Sequence, residues 1–361
     1  MRGRGGRIAS VLALVLASAA AGWAAGQQPE TEGEYQRLVA RYRSGDTEAA
    51  ASHAVAVASG APLPRGACGS ADECQAVAVL NLHAASLLFG VMQVDRARAI
   101  LDATRPLVSR PAAAFAFAWL LAAGSLHQAY ADHARAFGLY AAALELRPGN
   151  SSALLARATA LEFSAIPDGF GAVVVADRDV WSVLYPGGQP PRELSSHLAN
   201  RRTETPYRRV LLEFLTRQYR ALLDVDSSST EARLRLGRVL QARGRDGEAE
   251  VELRAIASDD DRFCAAVARL CLARVEVSPE RAADAYRSAL AVDPTLSPAW
   301  LGLSQSLHAS GDRGGALEAL DRALSLGRTR ALNAWVDYHL GRGRAFPEAL
   351  AALRAGLTPP R

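Results

Sequence analysis

Lysine is absent from the 361-residue sequence, and aromatic residues make up only 6% of it. A lysine amine is needed for Schiff-base chemistry and for a Walker-type phosphate loop, so both are excluded. The seven histidines are scattered, and the chain has no His-Glu-x-x-His, Cys-x-x-Cys or Gly-x-Ser-x-Gly motif. The sequence therefore predicts no catalytic residues, no metal site and no cofactor.

Alanine is abundant, with 74 of 361 residues. Alanine costs the least free energy in a helix and lets neighbouring helices approach closely. A composition of 50% hydrophobic and 22% charged residues is typical of a folded chain rather than a disordered one. Together these features favour an all-α protein of closely packed helices.

The first 25 residues have the pattern of a secretory signal peptide. Residues 1–7 carry three arginines and no acid, residues 8–21 are almost wholly apolar, and small residues follow. Cleavage after Ala24 or Ala25 would deliver the protein to the periplasm or the outside of a bacterial cell. The alternative is a membrane anchor formed by an uncleaved N-terminal helix, because an apolar run of about 18 residues reaches the lower limit for a membrane span.

The net charge depends on this segment. The whole chain carries +4, but without the three arginines of the signal 38 basic and 37 acidic side chains remain, a balance of +1. A nearly neutral chain lacks the basic character of nucleic-acid-binding proteins. We therefore expect a protein or peptide partner and no nucleic acid, with membrane contact only if the signal stays uncleaved.

A small residue recurs about every 34 residues in the C-terminal half. The positions are Ala249, Ala282, Ala316 and Ala349, and a large side chain follows each one four residues later, at Leu253, Tyr286, Leu320 and Leu353. A period of this length indicates a helical repeat in which the small residue lies where two helices cross.

Residues 297–330 show the repeat most completely, at Trp300, Leu303, Leu307, Gly311, Asp312, Ala316, Leu320, Ala323 and Leu326. This pattern resembles the tetratricopeptide repeat, a helix–turn–helix unit of 34 residues. The resemblance implies an all-α superhelical solenoid of about seven or eight helix pairs, with a C-terminal array over 207–361. Residues 26–165 are predicted to form degenerate repeat-like helices, among them a second helix with Ala136 at the crossing. Residues 166–206 interrupt the pattern and are either an irregular insertion or a degenerate repeat.

The resemblance also implies a binding groove, because the first helix of each repeat lines the concave face. Carried onto this sequence, the inward-facing polar positions are Arg238, Gln241, Arg274, Gln305 and His308. Arginine binds carboxylates well, so we expect a protein or peptide partner with an acidic group. The alternative is a solvated helix face that binds nothing.

The four cysteines form two pairs. Cys68 and Cys74 lie in a short loop of an exported chain, which predicts a local disulfide. Cys264 and Cys271 lie seven residues apart on one predicted helix, so their Cα atoms are about 10.5 Å apart and too distant for a disulfide. They are predicted to pack between helices.

These patterns predict an exported scaffold that mediates protein–protein interaction through its groove, without catalysis. One alternative is a structural envelope component that self-associates through its end repeats, because Leu350 and Leu353 share one face of the last helix. A second is an enzyme whose acid–base groups lie in the 166–206 segment, at Asp168, Asp177, Asp179 and His197. The oligomeric state is left open.

Overall fold

The computed structural model describes residues 32–61, 68–109, 111–165, 206–329 and 333–357. The predicted signal peptide and the predicted insertion, apart from its last residue, lie outside these ranges. Within them the regular structure is helical throughout, and the prediction of an all-α fold is confirmed. None of the described helices is both long and apolar enough to cross a bilayer.

The chain divides into two compact units, and the first comprises Met1–Pro148 together with Ala345–Arg361. Its helices are α1 (Glu32–Arg43), α2 (Glu48–Ala58), α3 (Ala71–Gly90), α4 (Val94–Val108), α5 (Ala113–Ala129), α6 (His133–Leu146) and α16 (Phe346–Ala355). Successive helices α1 to α6 pack as antiparallel neighbours in the pairs α1/α2, α3/α4 and α5/α6.

The second unit comprises Gly149–Arg344. Its helices are α7 (Ser151–Ala165), α8 (Pro206–Val225), α9 (Thr230–Ala242), α10 (Asp246–Arg254), α11 (Arg262–Ala273), α12 (Pro279–Val292), α13 (Ser297–Ala309), α14 (Arg313–Thr329) and α15 (Ala334–Leu340). A 3-10 turn, Gly341–Ala345, follows α15. The pairs here are α7/α8, α9/α10, α11/α12 and α13/α14.

The small residues of the repeat lie where the two helices of a pair meet. Ala136, Ala249, Ala282 and Ala316 are all buried, with at most 6% of their surface exposed. Trp300 is partly buried, and its Nε1 donates a hydrogen bond to the carbonyl oxygen of Pro294, 2.9 Å away. The four alanines are therefore buried and Trp300 is partly buried, as the repeat pattern predicts.

One glycine shows how closely the helices approach. A Cβ added to Gly302 of α13 would lie 2.2 Å from Cζ of Tyr286 on α12. Glycine is therefore required at this crossing for steric reasons. The turn after α13 needs glycine for a different reason, because Gly311 has a φ of 92°.

The structure divides the chain differently from the sequence-based boundaries of 26–165 and 207–361. Helix α7 packs against α8, which begins on the far side of the 166–205 segment, so both belong to the second unit. The end of the chain belongs to the first unit, because α16 packs against α3 and α5.

Ala349 is therefore not equivalent to the other repeat alanines. It lies in α16 and is only partly buried, and the 33-residue spacing from Ala316 does not mark another stacked repeat. The apolar face expected to drive self-association is also covered, because Leu350 and Leu353 are each only 8% exposed. Periodicity alone cannot show that a helix folds back onto a distant part of the chain.

Replacing Gly302 with alanine tests the close approach of α12 and α13. We expect the free energy of unfolding to fall by about 1–3 kcal/mol, since Tyr286 or the helix must move to admit the methyl group. Gly138, inside α6, is the matched control because an added Cβ there meets nothing within 4 Å. Gly138→Ala is expected to be neutral or stabilising by up to about 1 kcal/mol. Urea denaturation measures both, and equal effects would contradict the steric requirement.

Candidate functional site

The predicted groove residues lie on the first helices of three pairs in the second unit. Arg238 and Gln241 are on α9, Arg274 directly follows α11, and Gln305 and His308 are on α13. The starts of two of these helices are fixed by side-chain caps. The Ser229 hydroxyl accepts a hydrogen bond from an α9 backbone amide, and the Asp261 carboxylate accepts two from α11.

A segment of the same chain occupies part of this surface. We call residues 333–344 the strap, which consists of Asn333, helix α15 and most of the 3-10 turn. The Asn333 side chain caps α15 by accepting hydrogen bonds from the backbone amides of Trp335 and Val336, both at 3.0 Å. Asn333 Nδ2 also donates to the carbonyl oxygen of Thr295, at 3.0 Å. The strap therefore begins on the turn between α12 and α13.

The two predicted groove arginines contact aromatic rings of the strap. Cζ of Arg274 lies 4.8 Å from the centre of the Trp335 ring. Cζ of Arg238 lies 5.6 Å from the same ring and 5.8 Å from the ring of Tyr338. Arg238 is only 6% exposed. The strap therefore contacts both arginines, and their role in binding a partner stays a prediction.

The other predicted groove residues have different surroundings. Gln241 is partly buried, and its Nε2 donates to the carbonyl oxygen of Cys271 at 2.9 Å, so it links α9 to α11. Gln305 is partly buried and His308 is exposed. Of the five predicted groove residues, His308 alone is classed as exposed.

A buried charged cluster lies next to the aromatic contacts. The Glu162 carboxylate on α7 accepts hydrogen bonds from the hydroxyls of Tyr219 and Tyr338, the former at 2.5 Å. Arg235 Nη1 donates to the same carboxylate at 3.2 Å. Arg235 Nη2 donates to the carbonyl oxygen of Tyr338 at 3.1 Å, and Cζ lies 4.6 Å from the Tyr338 ring centre. This cluster joins α7, α8, α9 and the strap.

A second carboxylate forms an ion pair with the end of the strap. Glu231 pairs with Arg235 at 2.9 Å and with Arg344 of the strap. Arg344 also places its Cζ 4.5 Å from the ring centre of Phe263 on α11. Burial alone would raise the pKa of Glu231, but Arg235 and Arg344 lower it to about 2. Glu231 is therefore charged at neutral pH and binds both guanidinium groups.

Helix α11 is the helix of the second unit against which the strap packs. Its residues Cys264, Val267 and Cys271 have no exposed surface. Helix α15 packs directly against α11. Burial raises the pKa of the Cys264 thiol, which makes it a poor nucleophile at neutral pH. Both thiols lie in the apolar core shared with Trp335 and Tyr338.

The sequence patterns did not reveal the residues that hold the strap. Glu162, Arg235, Trp335 and Tyr338 all lie outside the repeat-defining positions. One available signal was the pair of aromatic residues three apart in a chain with few aromatics. Such a pair lies on one face of a helix and indicates a contact surface.

Two other sequence-based expectations concern the cysteines of the first unit and metal binding. Cys68 and Cys74 form a disulfide with a Cα–Cα distance of 5.2 Å. Across the described ranges, no three or more His, Cys, Asp or Glu side chains are grouped so that they could hold a metal ion. The residues considered as acid–base groups of an enzyme, Asp168, Asp177, Asp179 and His197, lie outside the described residues.

The type of fold follows from the stacked helix pairs, which have small residues where their helices cross. The fold is tetratricopeptide-like. No protein-family model and no curated protein sequence matches the chain.

Solved structures of three proteins show low overall similarity. MamA aligns with 57% of this chain and 95% of its own, at 16% identity and a TM-score of 0.36. YrrB, described as a TPR protein with an unusual peptide-binding site, aligns with 58% of this chain and 84% of its own, at 17% identity and a TM-score of 0.33. A monomeric IFIT1 mutant with Gppp-AAAA aligns with 82% of this chain and 68% of its own, at 12% identity and a TM-score of 0.34.

Replacing Glu231 with glutamine tests the ion pairs that hold the end of the strap. The folded-state pKa of Glu231, about 2, lies below its ordinary value of 4.5. Its charged form therefore stabilises the fold fully above about pH 4.5, and this stabilisation is lost as the pH falls toward 2. We expect Glu231→Gln to lower the free energy of unfolding by about 2–3 kcal/mol at pH 7.

The pH dependence separates this effect from a general loss of packing. In urea denaturation the difference between wild type and Glu231→Gln should shrink by about half at pH 3. Glu318→Gln, at an exposed position of α14, should leave the stability unchanged at both pH values. A difference that is constant between pH 7 and pH 3 would show that the charge of Glu231 is not the cause.

Proposed function

We propose that this protein is an exported scaffold that binds a protein or peptide partner on the concave surface of its second unit and carries out no catalysis. The observation that supports this proposal is the strap, a helix-containing segment that packs against α11 and contacts the predicted groove residues Arg238 and Arg274. A surface that buries Trp335 completely and pairs Arg344 with Glu231 has the features of a peptide-binding site.

The residues of this surface favour a protein over a nucleic acid as the partner. Aromatic rings contact guanidinium groups, and carboxylates accept hydrogen bonds from a tyrosine hydroxyl and an arginine. Protein interfaces are enriched in aromatic residues and arginine. A net charge of +1 for the chain without its predicted signal gives no bulk attraction for nucleic acid.

Export is supported by the N-terminal sequence and by the Cys68–Cys74 disulfide. Disulfides persist in oxidising compartments such as the periplasm and the extracellular space. We therefore propose that the mature chain resides in the periplasm or outside the cell. If the signal is uncleaved, residues 1–25 would instead anchor the scaffold to the membrane.

Site-specific photo-crosslinking tests where a partner binds. A photoreactive amino acid at position 308, exposed on the first helix α13, should crosslink the partner when the mature chain is mixed with an extract of its native cell. The same group at position 287 is the control, because Arg287 is exposed on the second helix α12. Mass spectrometry identifies the captured protein, which should bind the chain again in purified form. Capture that is equal at the two positions, or stronger at 287, would contradict binding on the concave surface.

Export can be tested through the predicted signal itself. The chain, expressed with its own N-terminus in a bacterium, should reach the periplasmic fraction with Ala25 or Gly26 as its first residue. Leu14→Arg interrupts the apolar run and should block export, whereas Gln27→Arg, beyond the predicted cleavage site, should not. N-terminal sequencing of each cell fraction gives the result. A full-length chain in the membrane fraction would favour the anchored alternative, and a full-length cytosolic chain would exclude export.

A further inference from the structure

The first unit has a pocket with a volume of about 140 Å³. Its lining residues come from three successive helices, α4, α5 and α6. The apolar part of the lining includes Leu101 and Leu139, and the charged part consists of Asp102, Arg105 and Arg135. A cavity of about 150 Å³ holds one benzene ring, so this pocket has room for one small ring or a short branched chain.

One residue of the lining, Gly138, has no role in the packing of the helices. It lies in the interior of α6, where glycine is less favourable than alanine. An added Cβ would meet nothing within 4 Å, and Gly138 is not among the glycines with positive φ. Neither a close helix approach nor a turn therefore requires glycine at this position. The missing side chain leaves the pocket open.

The charged side chains of the lining differ in what they already bind. Arg135 Nη1 donates to both carboxylate oxygens of Asp102, at 2.9 and 2.8 Å. Arg105 is exposed and forms no ion pair or hydrogen bond with another residue in the part of the chain that the structure describes. Arg105 is therefore the cation of the lining that is available to a ligand.

The remaining polar group of the lining is uncharged at pH 7. His127 is 2% exposed, and its Nδ1 lies 3.1 Å from Oδ2 of Asp132. Burial lowers the pKa of His127, so its ring is neutral at pH 7. Because Asp102 neutralises Arg135, one positive charge remains, that of Arg105. A guanidinium binds a single carboxylate through two parallel hydrogen bonds.

We propose that this pocket binds a small monocarboxylic acid, with the carboxylate held by Arg105 and the apolar group enclosed by α4, α5 and α6. The lining residues all belong to the first unit. The inference is therefore independent of the partner binding proposed for the second unit. The same chemistry is offered by a free acid and by the C-terminal residue of a polypeptide, and the experiment below separates these two sources.

The probe is 4-fluorobenzoate, a monocarboxylate with one ring, and fluorine NMR measures its binding to the mature chain. We expect a dissociation constant of about 1 mM or lower, which is reasonable for a ligand of this size. The uncharged 4-fluorobenzamide has nearly the same shape and should bind at least tenfold more weakly. Absence of 4-fluorobenzoate binding at roughly ten times the expected constant would overturn the proposal. Equal binding of the amide would overturn the role of the carboxylate.

Replacing Arg105 with glutamine tests the group that holds the carboxylate. We expect Arg105→Gln to weaken 4-fluorobenzoate binding at least tenfold, because a charge-assisted hydrogen-bonded pair is lost. Arg37→Gln is the matched control, since Arg37 is exposed on α1 and does not line the pocket. It should stay within twofold of wild type. Equal affinities of the two variants would contradict a specific role of Arg105.

Replacing Gly138 with leucine tests the location of the site. The leucine side chain should fill the pocket and weaken 4-fluorobenzoate binding at least tenfold. The fold should be retained, as judged by circular dichroism, because the new Cβ meets no neighbouring atom. Gly247→Leu is the control, at an exposed position of α10 where an added Cβ also meets nothing within 4 Å. A folded Gly138→Leu variant that binds like wild type would show that the acid binds elsewhere.

Competition with the peptide N-acetyl-Gly-Gly-Phe identifies the source of the carboxylate. If the peptide displaces 4-fluorobenzoate and its C-terminal amide does not, the ligand is the C-terminus of a polypeptide. If neither peptide displaces it, the ligand is a free acid. Both results support a carboxylate site in this pocket, whereas equal displacement by the peptide and its amide would overturn it.

Discussion

The buried guanidinium of Arg235 is the constraint on which the rest of the second unit depends. A charge without exposed surface is tolerated only when it is paired and fully hydrogen-bonded. Glu162 and Glu231 supply the pairing, and the carbonyl oxygen of Tyr338 supplies a further acceptor. These three acceptors come from α7, α9 and the strap, so the charge of one side chain fixes the relative positions of three segments that are distant in the sequence.

The absence of lysine has a structural counterpart at this site. Every cation that contacts the strap is a guanidinium, and a planar guanidinium can lie over an aromatic ring while it donates hydrogen bonds from its edge. Arg235 does both, since it lies over the Tyr338 ring and pairs with Glu162 and Glu231. An ammonium group has no flat face and could not do both. At this site, therefore, two of the few aromatic residues of the chain, Trp335 and Tyr338, contact arginine side chains.

The helix pairs could be predicted from the sequence because their cause is local. A small residue such as Ala282 and a large one such as Tyr286 lie one turn apart on the same helix, so the period of the pattern directly reports how neighbouring helices cross. The inward-facing positions of the first helices were instead implied by the resemblance to the tetratricopeptide repeat, and two of them, Arg238 and Arg274, contact the strap. The match of Ala349 to the period failed because α16 packs against α3 and α5, and a spacing cannot identify the helix that a residue touches.

The occupant of the surface could not be predicted, because its contacts join residues that no repeat period connects. Tyr338 and Glu162 are 176 positions apart. The arginines predicted for the groove could be counted from the sequence, but not the carboxylates of Glu162 and Glu231, which accept hydrogen bonds from the strap. The contacts of the strap join guanidinium groups to aromatic rings, and carboxylates to hydroxyl and guanidinium donors. Which of these groups meet is decided by the tertiary fold, so a repeat pattern read along the chain does not reveal it.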